Sequence, residues 1–189
     1  TLLMELICSQ KGIKYCDEPL NLRRKNVQLA LGFDDWAFSL PFPERENLYQ
    51  NYFKAIAQGK RPFLNPNPLK QDYHLFTDRI VFKILHGGED LIDWFRLNFH
   101  AEVIYLVRHP IAVTLSRKQY PRLPFFLENE TVCSWLSDAQ IRISRKILTE
   151  GGDFEKGILS WCLQNYHQLT ISNREDWVVV SYEQLVMEP

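Results

Sequence analysis

The sequence predicts an α/β fold in three layers, with a mainly parallel sheet and helices on both of its faces. Two observations carry that prediction. Short apolar runs rich in β-branched residues occupy 80–85, 103–107 and 177–180, and segments with helical spacing separate them. Strands that alternate with helices are the signature of a covered parallel sheet. The chain also has 189 residues, 46% of them hydrophobic and 24% charged, which is enough for one globular domain with a sizeable core.

In chain order, residues 1–12 have the apolar density of a buried helix that ends near Gly12. Leu48, Tyr52, Phe53 and Ile56 recur at helical spacing over 44–58. The stretch 62–68, Pro-Phe-Leu-Asn-Pro-Asn-Pro, is too interrupted for a helix or an inner strand and reads as a loop. The strand at 80–85 closes on His86-Gly87-Gly88. A helix over 89–99 follows, with acids at its start and Leu91, Ile92 and Phe95 on one face. The unbroken run Val103-Ile104-Tyr105-Leu106-Val107 predicts a strand buried on both faces. Pro110 suits the first turn of the next helix, which runs to Gln119. Two longer helices cover 130–148 and 154–172. A last buried strand, 177–180, leads into a helical turn at Tyr182.

Composition excludes several functions. Lys+Arg is 22 and Asp+Glu is 23, so no bulk basic field exists for nucleic acid. No apolar run reaches the roughly 20 residues of a membrane span, and no signal peptide is visible. The chain opens on Thr1 and stops at Pro189 on the entry to a further helix, so a domain cut at both ends is expected. Cys8, Cys16, Cys133 and Cys162 lack C-x-x-C spacing and are expected as buried free thiols. The five histidines form no pair at helical spacing, and no metal is expected.

In parallel sheets ligands bind beyond the carboxyl ends of the strands. Those ends carry His86, Arg108-His109 and Ser181-Tyr182. Residues 103–127 contain Arg108, Arg117, Lys118 and Arg122 and no Asp or Glu, a stretch suited to a phosphate. Arg108 leaves an apolar strand and needs a partner, whereas Arg117, Lys118 and Arg122 read as a solvated helix face. Ser116 lies eight residues beyond Arg108, where a hydroxyl can share an anion with it. Thr1, a hydroxyl residue opening an apolar helix, is a cap and a possible phosphate ligand. Glu183 would add negative charge beside such a ligand, so it is expected to turn toward the protein and pair locally.

These residues resemble the sulfotransferases that use 3′-phosphoadenosine 5′-phosphosulfate (PAPS). Thr1-Leu2-Leu3 is similar to the end of that family's 5′-phosphosulfate loop. Val107-Arg108-His109-Pro110 through Ser116-Arg117 is similar to its 3′-phosphate segment. Trp161 to Asn165 is similar to the helix before its last strand, and Ser181-Tyr182-Glu183-Gln184-Leu185 to a turn whose Tyr lies near the adenine. The resemblance spans nearly the whole chain. It implies a P-loop nucleotide-hydrolase-like sulfotransferase fold, PAPS as sulfuryl donor, no metal, and a small-molecule, carbohydrate or protein acceptor. Thr1, Arg108, Ser116 and Tyr182 would bind the cofactor. The base would be Glu18, like the Glu of protein-tyrosine and several carbohydrate sulfotransferases, or His86, like the His of the cytosolic branch. The spacing Lys83-x-x-His86 departs from the Lys-x-His of that branch, which favours Glu18. Pro19 is expected to keep Glu18 extended. A cytoplasmic location is favoured slightly, and a Golgi-type lumen follows if an anchor precedes Thr1.

Three other readings stand beside this one. A P-loop kinase would need a Gly-Lys-Ser/Thr pattern ending at Thr1. A histidine phosphatase would have Gly after Arg108-His109, where this chain has Pro110. A sulfotransferase-like domain without activity would only bind a partner.

Overall fold

The computed structural model describes residues 2–10, 12–36, 45–61, 79–85, 87–117, 119–171 and 177–187. Over these the protein is mixed α/β, with two pairs of parallel strands. The chain divides into two compact units, one running to Gly88 and one from Glu89 onward.

In the first unit, α1 (Leu2–Cys8) buries Met4 and Cys8 against Ile13, with Tyr15 and Val81 packed alongside. Gly12, at φ 82°, turns the chain from this helix into β1 (Ile13–Asp17). The sequence reading has no strand here, because five residues with two charges, one β-branched side chain and no regular alternation carry little β signal. What fixes β1 is its partner β2 (Arg79–Lys83): the two run parallel, Ile13 opposite Arg79 and Asp17 opposite Lys83. After β1 comes α2 (Lys25–Leu31), which buries Val27 and Leu31 and stops at Gly32, in the left-handed region. The expected helix over 44–58 is α3 (Glu46–Ala57), with Tyr49, Tyr52, Phe53 and Ile56 buried at spacings of three and four. The Phe53 and Phe82 rings meet edge to face at 5.3 Å, which ties α3 to β2.

In the second unit a 3₁₀ turn (Glu89–Leu91) leads into α4 (Ile92–Phe99). The strand β3 (Val103–Val107) pairs in parallel with β4 (Trp177–Ser181), Val103 opposite Trp177 and Val107 opposite Ser181. Between them lie α5 (Pro110–Ser116), α6 (Leu123–Phe126), α7 (Glu130–Ser134), α8 (Asp138–Glu150) and α9 (Asp153–Thr170). The last element is α10 (Tyr182–Met187). Leu123, Phe126, Leu127, Val132, Leu159 and Leu163 form the core.

Three sequence expectations change here. The helix expected over 130–148 is two helices, because Ser137 and Gln140 form a capping box that starts α8 afresh. β3 and β4 are not buried on both faces: Tyr105 is held by α9, but Val179 beside it is 40% exposed, and Ile104, Leu106 and Val178, on the other face, are 48%, 38% and 60% exposed. Apolar content alone had suggested two covered faces. Arg122 is not a solvated cation. It is 1% exposed, ion-paired with Glu89, and its guanidinium lies 4.9 Å from the Phe126 ring centroid. The surrounding acid-free stretch concealed a partner that lies 33 residues upstream.

One face of α9 grips the β3–α5 segment at three positions spaced four residues apart. Gly157 packs so closely on α5 that an added Cβ would collide with the Thr114 side chain. The Trp161 indole donates to the Arg108 carbonyl at 2.9 Å. The Tyr105 hydroxyl donates to Asn165 Oδ1 at 2.7 Å, and Asn165 Nδ2 donates to the Trp161 carbonyl. These contacts set the position of the β3 end. Among the described residues no helix is long and apolar enough to cross a membrane.

Candidate functional site

The second unit places Arg108 and Tyr182 at one edge. Each directly follows its strand, and β3 and β4 end in register at Val107 and Ser181. The Arg108 guanidinium lies over the Tyr182 ring, 5.0 Å from its centroid. Arg108 is exposed and Tyr182 half-buried, so both present a face to solvent. Glu183 pairs locally, as expected. Its carboxylate accepts the His109 backbone N–H at 3.0 Å and the Ser181 hydroxyl at 3.2 Å. The hydrogen bond from the His109 backbone is the main reason that its carboxyl lies below the usual range. Ser116 is the last residue of α5, and its hydroxyl donates to the Val113 carbonyl at 2.8 Å. Pro110 opens α5, where its missing N–H costs nothing.

The first unit gathers charge at the carboxyl ends of β1 and β2. Lys83 Nζ lies 2.7 Å from Asp17 Oδ1 and 3.2 Å from Glu18 Oε1. Arg24 donates to Asp17 Oδ2 at 2.9 Å and to the Asp17 carbonyl at 2.6 Å. Asn21 Nδ2 donates to Glu18 Oε2 at 2.6 Å. Each oxygen of Glu18 thus has a partner and keeps lone-pair capacity, and its side chain is 15% exposed.

Glu18 is not extended. Its φ is 52°, left-handed and unusual for a residue that precedes proline. Tertiary contacts override the local preference: its N–H donates to the Lys83 carbonyl at 2.8 Å, and its carbonyl accepts from the Asn21 N–H at 3.1 Å. Backbone strain of this kind costs about 1–3 kcal/mol and persists only where its surroundings hold it.

Burial acts to raise the Asp17 pKa, but hydrogen bonds from Lys83 and Arg24 outweigh it and hold the carboxyl below 3.8. Burial likewise acts against the Lys83 charge, and the Asp17 hydrogen bond with the Glu18 charge more than restores it, so its pKa is raised. Cys16, one residue earlier in a dry site, has its thiol pushed up to about 12 by burial. A pH dependence follows from Asp17. On acidification the unfolded chain takes up that proton first, so the carboxylate's contribution is complete above 3.8 and is lost as pH falls through its lower folded value. Asp17→Asn is expected to flatten the acid limb of a stability-against-pH curve measured by urea titration. An unchanged limb would contradict the assignment.

Thr1, His86 and Lys118 lie outside the described residues. Arg108 and Tyr182 are brought together. Ser116 belongs to the same β3–α5 segment as Arg108, and Glu18 stands in the first unit. Sequence reasoning missed Arg24 and Asn21 as partners of the Asp17-Glu18 pair. A signal was available, since two adjacent acids followed within seven residues by Asn21 and Arg24 suggest a turn that folds back on itself. All four cysteines are free; Cys8 and Cys16 are buried, Cys133 is half-buried and Cys162 exposed. No cluster of metal-ligating side chains occurs among the described residues. Comparison with protein-family models, with curated proteins and with solved structures finds no match to this chain.

Proposed function

We propose that this chain is a sulfotransferase that moves a sulfuryl group from PAPS to a hydroxyl or amine acceptor, on a three-layer, P-loop-like α/β fold. The observation that carries the reading is the Arg108 guanidinium stacked over the Tyr182 ring, at the carboxyl ends of two parallel strands in register. A planar cation beside an aromatic ring suits a nucleotide, with phosphate on the guanidinium fork and a base on the ring. Glu183 fits this reading, since its carboxylate is already engaged by the His109 N–H and the Ser181 hydroxyl.

In this reading Arg108 and Ser116 hold the 3′-phosphate. Ser116 would exchange its bond to the Val113 carbonyl for one to a phosphate oxygen. Tyr182 stacks beside the adenine, and Thr1 lies in the loop that binds the 5′-phosphosulfate. Glu18 takes the proton of the acceptor as its oxygen or nitrogen attacks sulfur, and adenosine 3′,5′-bisphosphate leaves on the opposite side. His86 is the secondary candidate for that base.

Replacing Arg108 by alanine is expected to weaken binding of adenosine 3′,5′-bisphosphate by about 2–4 kcal/mol, the range for losing a charge-assisted bidentate contact. Titration calorimetry on the full chain measures it. Equal affinity of wild type and variant would overturn the site, and absence of any binding by the wild type would overturn the function.

A further inference from the structure

The first unit contains a cavity of about 80 Å³ that the sulfuryl-transfer reading does not use. Its wall joins β1 through Cys16, the following turn through Pro19, α2 through Asn26, Val27 and Ala30, α3 through Tyr52 and Ile56, and the segment after α3 through Arg61. Cys16, Val27, Tyr52 and Ile56 are 4%, 3%, 6% and 3% exposed, so much of the wall belongs to the core. Val27, Ala30 and Ile56 form an aliphatic side, and Asn26 and Arg61 a polar one. The Tyr52 hydroxyl is committed to the Pro19 carbonyl at 2.7 Å.

Arg61 gives this cavity its chemistry. Its guanidinium lies 5.6 Å from the centroid of the Tyr52 ring, which restrains the fork beside the cavity. Among the described residues none that lines the wall is an acid, and Arg61 makes no ion pair. The wall thus joins an aliphatic side to a cation that meets no counter-charge among the described residues, with Asn26 as a second polar residue. The volume is about half of the roughly 150 Å³ that accommodates benzene, so it suits a group of a few heavy atoms.

We propose that this cavity binds a short-chain aliphatic carboxylate, of the size of propionate or butyrate, or the equivalent end of a larger acid. The carboxylate pairs with the Arg61 fork, and the chain lies against Val27, Ala30 and Ile56. A phosphate or sulfate matches the fork equally well. It would, however, set strongly hydrated oxygens against aliphatic carbon, which disfavours it here. The inference is independent of PAPS use and of the roles of Arg108 and Glu18.

The test is a titration of the full chain with acetate, propionate, butyrate and hexanoate at constant ionic strength, followed by NMR of the Val27 and Ile56 methyl groups. Propionamide serves as the uncharged control. Saturable shifts are expected, strongest for propionate or butyrate and at least tenfold weaker for propionamide. Arg61→Met keeps the aliphatic stem over Tyr52 and should weaken propionate at least tenfold. Ala30→Leu, at a half-buried position, should fill the cavity and abolish binding, with circular dichroism confirming that both variants fold. No saturable shift in the wild type at tens of millimolar would overturn the proposal. Equal affinity in folded Arg61→Met, or propionamide binding as well as propionate, would also overturn it.

Discussion

Replacing Arg122 by alanine is expected to destabilise the second unit by about 3–5 kcal/mol, the cost of stranding one charge of a buried pair. Arg122 is 1% exposed, and the Glu89 side chain that it meets is 9% exposed. Without the guanidinium, the nearly buried Glu89 carboxylate loses the cation paired with it and is left unbalanced. The backbone of the same turn is tied to α9, since Gln168 Nε2 donates to the Glu89 carbonyl at 2.5 Å. Relocation of Glu89 into water would therefore disturb the turn that starts the unit. Urea denaturation followed by far-ultraviolet circular dichroism measures the loss. The double variant Arg122→Met/Glu89→Leu removes both charges at similar volume and should recover most of it. A loss below about 1 kcal/mol in Arg122→Ala, within the range of ordinary surface substitutions, would refute the buried pair.

Glu18→Gln is expected to lower turnover by roughly 10²–10⁴-fold, the usual contribution of a positioned general base. The change keeps the shape of the side chain and removes its proton affinity. Binding of adenosine 3′,5′-bisphosphate should hardly change, which separates a catalytic loss from a nucleotide-site defect. If His86 is the base, His86→Asn produces the large loss instead, and wild-type activity falls as pH drops through about 6.5. Near-normal turnover in Glu18→Gln would transfer the role to His86. Because Glu18 also pairs with Lys83 and accepts from Asn21, the stability of each variant must be measured beside its rate.

What was legible in the sequence follows physical lines. β3 matches its expected bounds, and β4 and α9 lie within two residues of theirs, because each is a long or apolar-dense run whose periodicity survives any context. β1 was invisible: Ile13-Lys14-Tyr15-Cys16-Asp17 becomes a strand only through pairing with residues more than sixty positions away. The same distance hides the Lys83 partner of Glu18 and, on a shorter scale, the Glu89 partner of Arg122. The Arg108 and Tyr182 pair was legible because both follow apolar strands directly, so strand order alone puts them at one edge. The left-handed backbone of Glu18 was not, since the residue before proline favours the opposite region until tertiary hydrogen bonds decide.

The three contacts that α9 makes at Gly157, Trp161 and Asn165 bear on what an incoming ligand must contribute in entropy. A strand-end loop that fluctuates must be ordered when something binds, and that ordering subtracts from affinity. Here the Arg108 carbonyl is already tethered to a helix of 18 residues, and His109 to Glu183, before any ligand arrives. What is left to settle is side chains: that of Arg108, exposed and restrained by the Tyr182 ring, and the Ser116 hydroxyl. A ligand that docks at this edge would therefore meet a backbone already held in place, with no folding step to complete.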